Sequence, residues 1–99
     1  MWVKYLYMNY SYSFSPEKNE KLKKERGISF EEVIFIIAND GVFDILGHHN
    51  PEKYPNQKIF VINIDNYVYL VPAVFDKKQI FLKTIIPSRK ATRKYIGED

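Results

Sequence analysis

Positive charge is concentrated near the end of the chain, between Lys83 and Tyr95. This segment holds five cationic side chains and no acidic one, whereas the net charge of the whole chain is only +3. Most of these cations follow Ser88, which we expect to cap a helix, and the free N–H groups at the start of a helix attract anions. The pattern therefore predicts a phosphate-binding segment, and RNA is the expected partner.

Cleavage of RNA without a metal needs a base for the 2′-hydroxyl proton, a cation for the charged phosphorane and an acid for the leaving oxygen. Histidine suits both proton transfers near neutral pH, and the chain contains two histidines, His48 and His49. Adjacent residues of an extended segment point in opposite directions, so we expect at most one of them to face a site. We favour His49, because His48 continues a strand. A solvated loop histidine is the alternative.

Two cations are expected to hold and stabilise the scissile phosphate. Arg89 presents a guanidinium group, which binds phosphate through two parallel hydrogen bonds. Lys58 opens a central strand, where its charge faces either a cleft or solvent. For Arg89 the structural alternative is a salt bridge to Glu31, Glu32 or the region of Glu17.

Further side chains complete the predicted RNA-binding surface, and they are Lys83, Lys90, Arg93, Lys94 and Tyr54. The tyrosine can stack on a base. For the cations of the last helix, an ordinary exposed helix face is the competing interpretation. For Lys83 a solvated charge at the sheet edge is the favoured one.

Composition limits the class of protein. The 99 residues suffice for one domain, which we place at residues 10–99, after an N-terminal extension of residues 1–9. With no cysteine there is no disulfide and no thiolate metal site, and two adjacent histidines lack zinc spacing. We therefore expect no metal and no cofactor. The start of the chain lacks the features of a signal peptide, and no apolar run reaches about 20 residues, so a cytoplasmic protein without a membrane span is expected.

The first half of the chain predicts a short strand and two helices. Residues 10–14 alternate aromatic and polar side chains, which is the period of a half-buried strand. Ser15 and the proline after it start a charged helix over residues 17–26. Ser29 starts a second helix in which the apolar run 33–38 predicts burial on most sides.

The second half predicts four strands and a helix, with the strands at residues 42–47, 58–64, 67–75 and 79–86. Asp65 and Asn66 accept positive φ and predict a two-residue hairpin loop. Pro72 lacks an N–H, so we expect a bulge or an unpaired stretch near the middle of its strand. The resulting antiparallel meander with its helices on one face is an α+β domain.

Three stretches, taken together and in this order, resemble the BrnT family of bacterial toxins. They are residues 14–19 (Phe-Ser-Pro-Glu-Lys-Asn), 26–33 (Arg-Gly-Ile-Ser-Phe-Glu-Glu-Val) and 88–92 (Ser-Arg-Lys-Ala-Thr). The resemblance covers about residues 12–95. It implies a compact RelE-like α+β fold and a ribosome-independent endoribonuclease that arrests growth. It also implies a type II antitoxin partner with a ribbon-helix-helix DNA-binding part. The expected assembly is either a homodimer of this chain or a hetero-oligomer with the antitoxin.

The chain departs from the family at Ser15, where an Asp is usual, and at Thr84, where an Arg is usual. A Glu that commonly follows the last motif is replaced by Arg93. These departures motivate a second hypothesis, a catalytically inactive antitoxin-binding module or corepressor. A third is that the chain poisons a DNA topoisomerase, as some RelE-fold relatives do.

Overall fold

A computed structural model describes residues 10–97, which contain three helices and six strands. The predicted N-terminal extension lies outside the described residues. In chain order the elements are β1 (Ser11–Ser13), α1 (Pro16–Arg26), α2 (Phe30–Ala38), β2 (Val42–Gly47), β3 (Gln57–Ile64), β4 (Tyr67–Asp76), β5 (Gln79–Leu82), β6 (Ile86–Pro87) and α3 (Arg89–Tyr95). The predicted α+β class is confirmed. Within residues 10–97, no helix is long and apolar enough to cross a membrane.

The six strands form one mixed sheet in the order β1-β5-β4-β3-β2, with β6 paired to β4 beside this path. Strands β2 to β5 are antiparallel neighbours, as the meander predicts. Strand β1 adds to the edge of β5 in parallel. The hairpin between β3 and β4 turns at Asp65 and Asn66, whose φ angles are 51° and 64°, so the predicted positive-φ loop is confirmed.

Pro72 explains why the predicted strand 79–86 is broken in two. Against β3 the register of β4 is continuous, with Pro72 opposite Ile59, so no bulge forms there. On the other side, β5 pairs with β4 from Ala73 onward and β6 pairs with Tyr69 and Leu70. In between, Pro72 has no N–H to donate, although its carbonyl accepts from the Lys83 N–H at 2.8 Å, so the ladder is interrupted there. The sequence predicts an interruption of this kind near the middle of the strand.

Side chains and one glycine set the ends of the helices where the sequence predicts them. Ser15, Ser29 and Ser88 each accept a hydrogen bond of 3.0–3.1 Å from the backbone N–H three residues later. Gly27 ends α1 with a φ of 68°, the left-handed conformation that glycine adopts without strain.

A buried asparagine joins α1 to the start of α2. The amide group of Asn19 donates to Glu31 Oε1 at 2.8 Å, and its Oδ1 accepts from the Phe30 backbone N–H at 2.8 Å. The Phe14 ring stacks on Phe30 with centroids 5.0 Å apart. Both helices then cover one face of the sheet, where Phe60 and Val71 belong to their hydrophobic core.

The prediction that α2 is buried on most sides is wrong. Val33 and Ile37 are fully buried, but Phe35 is 66% exposed. Among the described residues, a single layer of helices covers this face of the sheet, so the outer side of α2 meets solvent. A continuous apolar run therefore overstates the burial of this helix.

The prediction that all helices share one face is also wrong, because α3 lies on the opposite face. Val61 and Leu70 line a groove with α3, and they alternate along their strands with the core residues Phe60 and Val71. The Tyr95 hydroxyl donates to Asp44 at 2.9 Å, which holds the end of α3 over β2. The predicted packing of Tyr95 onto the sheet is confirmed.

Thr92 links the middle of α3 to strand β4 by a hydrogen bond. Its Oγ1 accepts from the Val68 backbone N–H at 2.9 Å and donates to the Ser88 carbonyl at 2.7 Å. The helix is thereby fixed across the Val68 end of β4. The other end of this sheet face is left open.

Candidate functional site

The open end of the sheet face holds a concavity of about 220 Å³, which we call the His pocket. Its lining residues are His48, His49, Gln57, Lys58, Ile59, Pro72 and Lys83. Ile59 and Pro72 are direct cross-strand partners and supply its apolar part. Among the described residues that line it, none is acidic, so the pocket carries the charge expected of an anion site.

The chain between β2 and β3 positions the two histidines. His48 still donates its backbone N–H to the Gln57 carbonyl at 3.2 Å, and the chain then turns, with the Tyr54 N–H bonded to the Asn50 carbonyl at 3.0 Å. The rings of His48 and His49 stack with centroids 4.3 Å apart. The expectation that at most one histidine faces the site is therefore wrong, because the turn ends the alternation of extended chain.

His48 is held in one orientation by three neighbours. Its Nδ1 accepts a hydrogen bond from the Asn50 backbone N–H at 2.9 Å. Its ring lies 4.5 Å from the Tyr54 ring and 4.3 Å from the His49 ring, centroid to centroid. The neutral ring must carry its hydrogen on Nε2, because Nδ1 is the acceptor.

The pKa of His48 is lowered from its ordinary value of 6.5, first by desolvation and then by the charges of His49 and Lys83. The hydrogen bond from Asn50 acts in the same direction, because it uses the acceptor of the neutral ring. Near neutral pH, His48 is thus an Nε2–H donor. His49, whose ring stacks on it, is the better candidate for a base.

Two lysines line the His pocket, and Lys83 is the one whose charge acts on His48. Lys83 is exposed and is anchored through its backbone N–H, which donates to the Pro72 carbonyl at 2.8 Å. Lys58 is the second residue of β3, in register with Gly47 and Ala73. The structure thus brings the predicted residues His49, Lys58 and Lys83 together. Tyr54 borders them through His48, and its role in stacking on a base stays a prediction.

A second concavity, of about 180 Å³, lies beside α3 on the same face, and we call it the α3 groove. Its lining residues are Leu46, Val61, Leu70, Ser88, Lys90, Ala91, Lys94 and Tyr95. Leu46 pairs with Ile59 of the His pocket, and Val61 is two residues further along β3. The pocket and the groove are therefore neighbours on one surface, with lysines in both.

Arg89 and Arg93 line neither concavity. The Ser88 backbone N–H bonds to the Val68 carbonyl, whereas the His pocket reaches Pro72 of the same strand. Four residues of strand span about 13 Å, so Arg89 begins its helix well away from His49. Within residues 10–97, Arg89 forms no salt bridge with the acids that the sequence suggested, because α1 and α2 lie on the other face.

Sequence reasoning missed His48 as a member of the site. The signal was present in the Asn50-Pro51 pair that follows the histidines, since this pair favours a turn and ends strict alternation. The apolar part of the pocket was missed too, because Ile59 and Pro72 meet only through the strand register.

No protein-family model, no curated protein and no solved structure matches the chain. The resemblance to BrnT toxins stays a prediction from the three motifs.

Proposed function

We propose that the protein is an endoribonuclease of the toxin class, acting at the His pocket. The observation that supports this best is the meeting of His48, His49, Lys58 and Lys83 in one concavity without an acidic lining residue among those described. A pocket with lysines and imidazoles suits the cleavage of an RNA phosphodiester. The phosphate is bound as an anion, the 2′-hydroxyl group loses a proton, and the leaving oxygen gains one.

The proposed reaction begins at His49, which takes the proton of the 2′-hydroxyl group. The 2′ oxygen forms a bond to phosphorus, the bond from phosphorus to the 5′ oxygen breaks, and the 5′ oxygen takes a proton from water. The product end is a 2′,3′-cyclic phosphate. Lys58 and Lys83 stabilise the additional negative charge of the phosphorane, and the Nε2–H of His48 is a further donor to its oxygens.

Cleavage of a labelled single-stranded RNA by the purified chain tests this proposal. We expect His49→Ala and Lys83→Ala to lose most of the activity, while Lys21→Ala on the exposed side of α1 keeps it. Replacing the 2′-hydroxyl at the cleaved position by hydrogen should abolish cleavage there. Equal cleavage by wild type and His49→Ala would refute the assignment of the base.

The toxin class rests on the three motifs together with the α+β fold. The chain should therefore arrest growth when it is expressed without its antitoxin, and co-expression of a ribbon-helix-helix antitoxin should restore growth. Arrest by wild type but not by His49→Ala, with both proteins equally soluble, links arrest to the pocket. Arrest by both variants with intact RNA would point to another target, such as a topoisomerase.

A second candidate is an inactive module that only binds its antitoxin. Two observations favour it: Arg89 lies outside the His pocket, and Thr84 stands where the resemblance leads us to expect an arginine. In that case wild-type RNA stays intact and growth is normal. Antitoxin affinity should then be the same for wild type and for His49→Ala.

A further inference from the structure

The α3 groove differs chemically from the neighbouring His pocket, because its floor is apolar. Val61 is fully buried at its base, and Leu46, which is 39% exposed, forms its outer side. Ala91 and the Tyr95 ring form the wall that α3 contributes. A nucleotide phosphate gains nothing from such a floor, whereas an apolar side chain is removed from water there.

The volume of the groove limits what can enter it. At about 180 Å³ it is smaller than the roughly 300–1,000 Å³ of sites for drug-sized ligands. It therefore suits one large apolar side chain rather than a whole small molecule. A side chain that anchors a protein segment is the occupant that this size favours.

The charges around the groove determine which segment fits. Lys90 and Lys94 lie one helical turn apart on α3 and both line it. The nearby carboxylate of Asp44 already accepts hydrogen bonds from the Tyr95 hydroxyl at 2.9 Å and from the Ile45 backbone N–H at 2.8 Å. With two lysines against this one carboxylate the rim is net positive, which is complementary to acidic residues beside the anchor.

The same aspartate decides how a segment approaches. Strand β2 is at the edge of the sheet, and its outward backbone groups would otherwise accept another strand. The His48 backbone N–H bonds to the Gln57 carbonyl of β3, and inward and outward N–H groups alternate along an antiparallel edge strand, so the Ile45 N–H faces outward. Asp44 already occupies this N–H. A strand added along β2 would lose the hydrogen bond to this N–H, which favours docking on the sheet face beside α3.

We propose that the α3 groove is a docking site for an acidic segment of a protein partner, which inserts one large apolar side chain over Val61 and places carboxylates against Lys90 and Lys94. The His pocket begins one cross-strand row away, at Ile59 and Pro72. A segment docked in the groove excludes RNA from the pocket. This regulatory consequence rests on the proposed ribonuclease function, whereas the docking itself does not.

The test uses three synthetic amphipathic peptides and the methyl resonances of Val61 and Leu70. The first peptide carries leucines on one face and glutamates beside them. The second replaces its leucines by serine, and the third replaces its glutamates by lysine. We expect only the first to shift these methyl signals, with a Kd below about 1 mM.

Two matched pairs of variants assign the binding to the groove. Leu46→Ser should weaken it about tenfold or more, whereas Phe81→Ser, which is equally exposed on β5, should not. The double variant Lys90→Glu/Lys94→Glu should weaken it similarly, whereas Lys21→Glu/Lys24→Glu on α1 should not.

Several results would overturn the proposal. The serine peptide or the lysine peptide could bind as tightly as the leucine peptide. The leucine peptide could also fail to bind at about 1 mM. Single-stranded RNA can contact Lys90 and Lys94 from the rim of the groove, but RNA that shifts the floor methyl signals as strongly as the leucine peptide does would assign the groove to RNA instead. Because no step uses cleavage, a chain that cuts no RNA can still pass this test, and failure of the docking site leaves the ribonuclease proposal standing.

Discussion

The salt dependence of RNA binding offers a quantitative test of the proposed surface. Four lysines line the His pocket and the α3 groove: Lys58, Lys83, Lys90 and Lys94. Each phosphate neutralised on a single strand contributes about −0.7 to the slope of log K against log salt. Four contacts therefore predict a slope of about −2.8, which is a loss of affinity of about fiftyfold between 50 and 200 mM salt.

Removing one of these lysines should flatten the slope by a fixed amount. Lys83→Ala is expected to give about −2.1, or a loss of about twentyfold over the same range of salt. Arg89→Ala should keep the original slope, because Arg89 lines neither concavity. Lys21→Ala on α1 is the matched control on the opposite face of the sheet.

The assay is fluorescence anisotropy of a labelled single-stranded RNA at about pH 7.5, with His49→Ala as the common background so that the RNA is not cut. Near this pH His48, whose pKa is lowered, contributes little charge, so the lysines dominate the slope. A slope that Lys83→Ala leaves unchanged, or that Arg89→Ala flattens, would contradict the surface described above and move the phosphate path onto the outer side of α3.

Three further predictions concern the contacts that hold the helices and His48 in place. Asn19→Ala should lower the free energy of unfolding by about 2–3 kcal/mol, or Tm by about 10–20 °C, because the buried Phe30 N–H loses its acceptor. A loss of less than about 1 kcal/mol in a denaturant titration would contradict this. Thr92→Val keeps the shape of the side chain but leaves the Val68 N–H unpaired, so the free energy of unfolding should fall by about 1–2 kcal/mol in the same titration. An unchanged free energy would mean that water replaces the hydroxyl group. His48 should titrate below its ordinary value of 6.5 by NMR. Since its pKa is lower in the folded than in the unfolded chain, stability should fall as pH drops below that value, and a midpoint above 6.5 would contradict the desolvation of the ring.

Local signals gave correct predictions for the helix caps and for the hairpin, whose physical causes lie within a few residues. The caps at Ser15, Ser29 and Ser88 depend on one side chain and the N–H three residues later. The hairpin at Asp65 and Asn66 depends on positive φ at two adjacent positions. In each case the stabilising interaction lies within four consecutive residues, so it can be predicted from the sequence alone.

Predictions failed where the cause lies between elements that are distant in sequence. The placement of α3 depends on Thr92 meeting the Val68 N–H and on Tyr95 meeting Asp44, which is 51 residues away. The exposure of Phe35 depends on which element covers α2, and its apolar neighbours do not reveal this. The His pocket likewise forms from four separate segments, so only its individual residues were predictable.

The structure also indicates what the three family-like motifs do in this chain. In the first motif, Asn19 binds the start of α2. In the second motif, Arg26 donates to the Ile85 carbonyl at 3.0 Å, in the irregular stretch between β5 and β6. From the third, Ser88 and Thr92 fix α3. These residues would be retained in an active enzyme and in an inactive binding module alike.

Similarity in the motifs therefore supports a shared fold more strongly than a shared reaction. The His pocket draws its lining from His48, His49, Lys58 and Lys83, all of which lie outside the three motifs. Substitutions inside a motif, such as Ser88→Ala, should lower stability and activity together, whereas His49→Ala and Lys83→Ala should lower activity alone. Measuring Tm beside cleavage for these variants separates the two cases, and a chain whose activity always follows its stability would have no reaction centre in the His pocket.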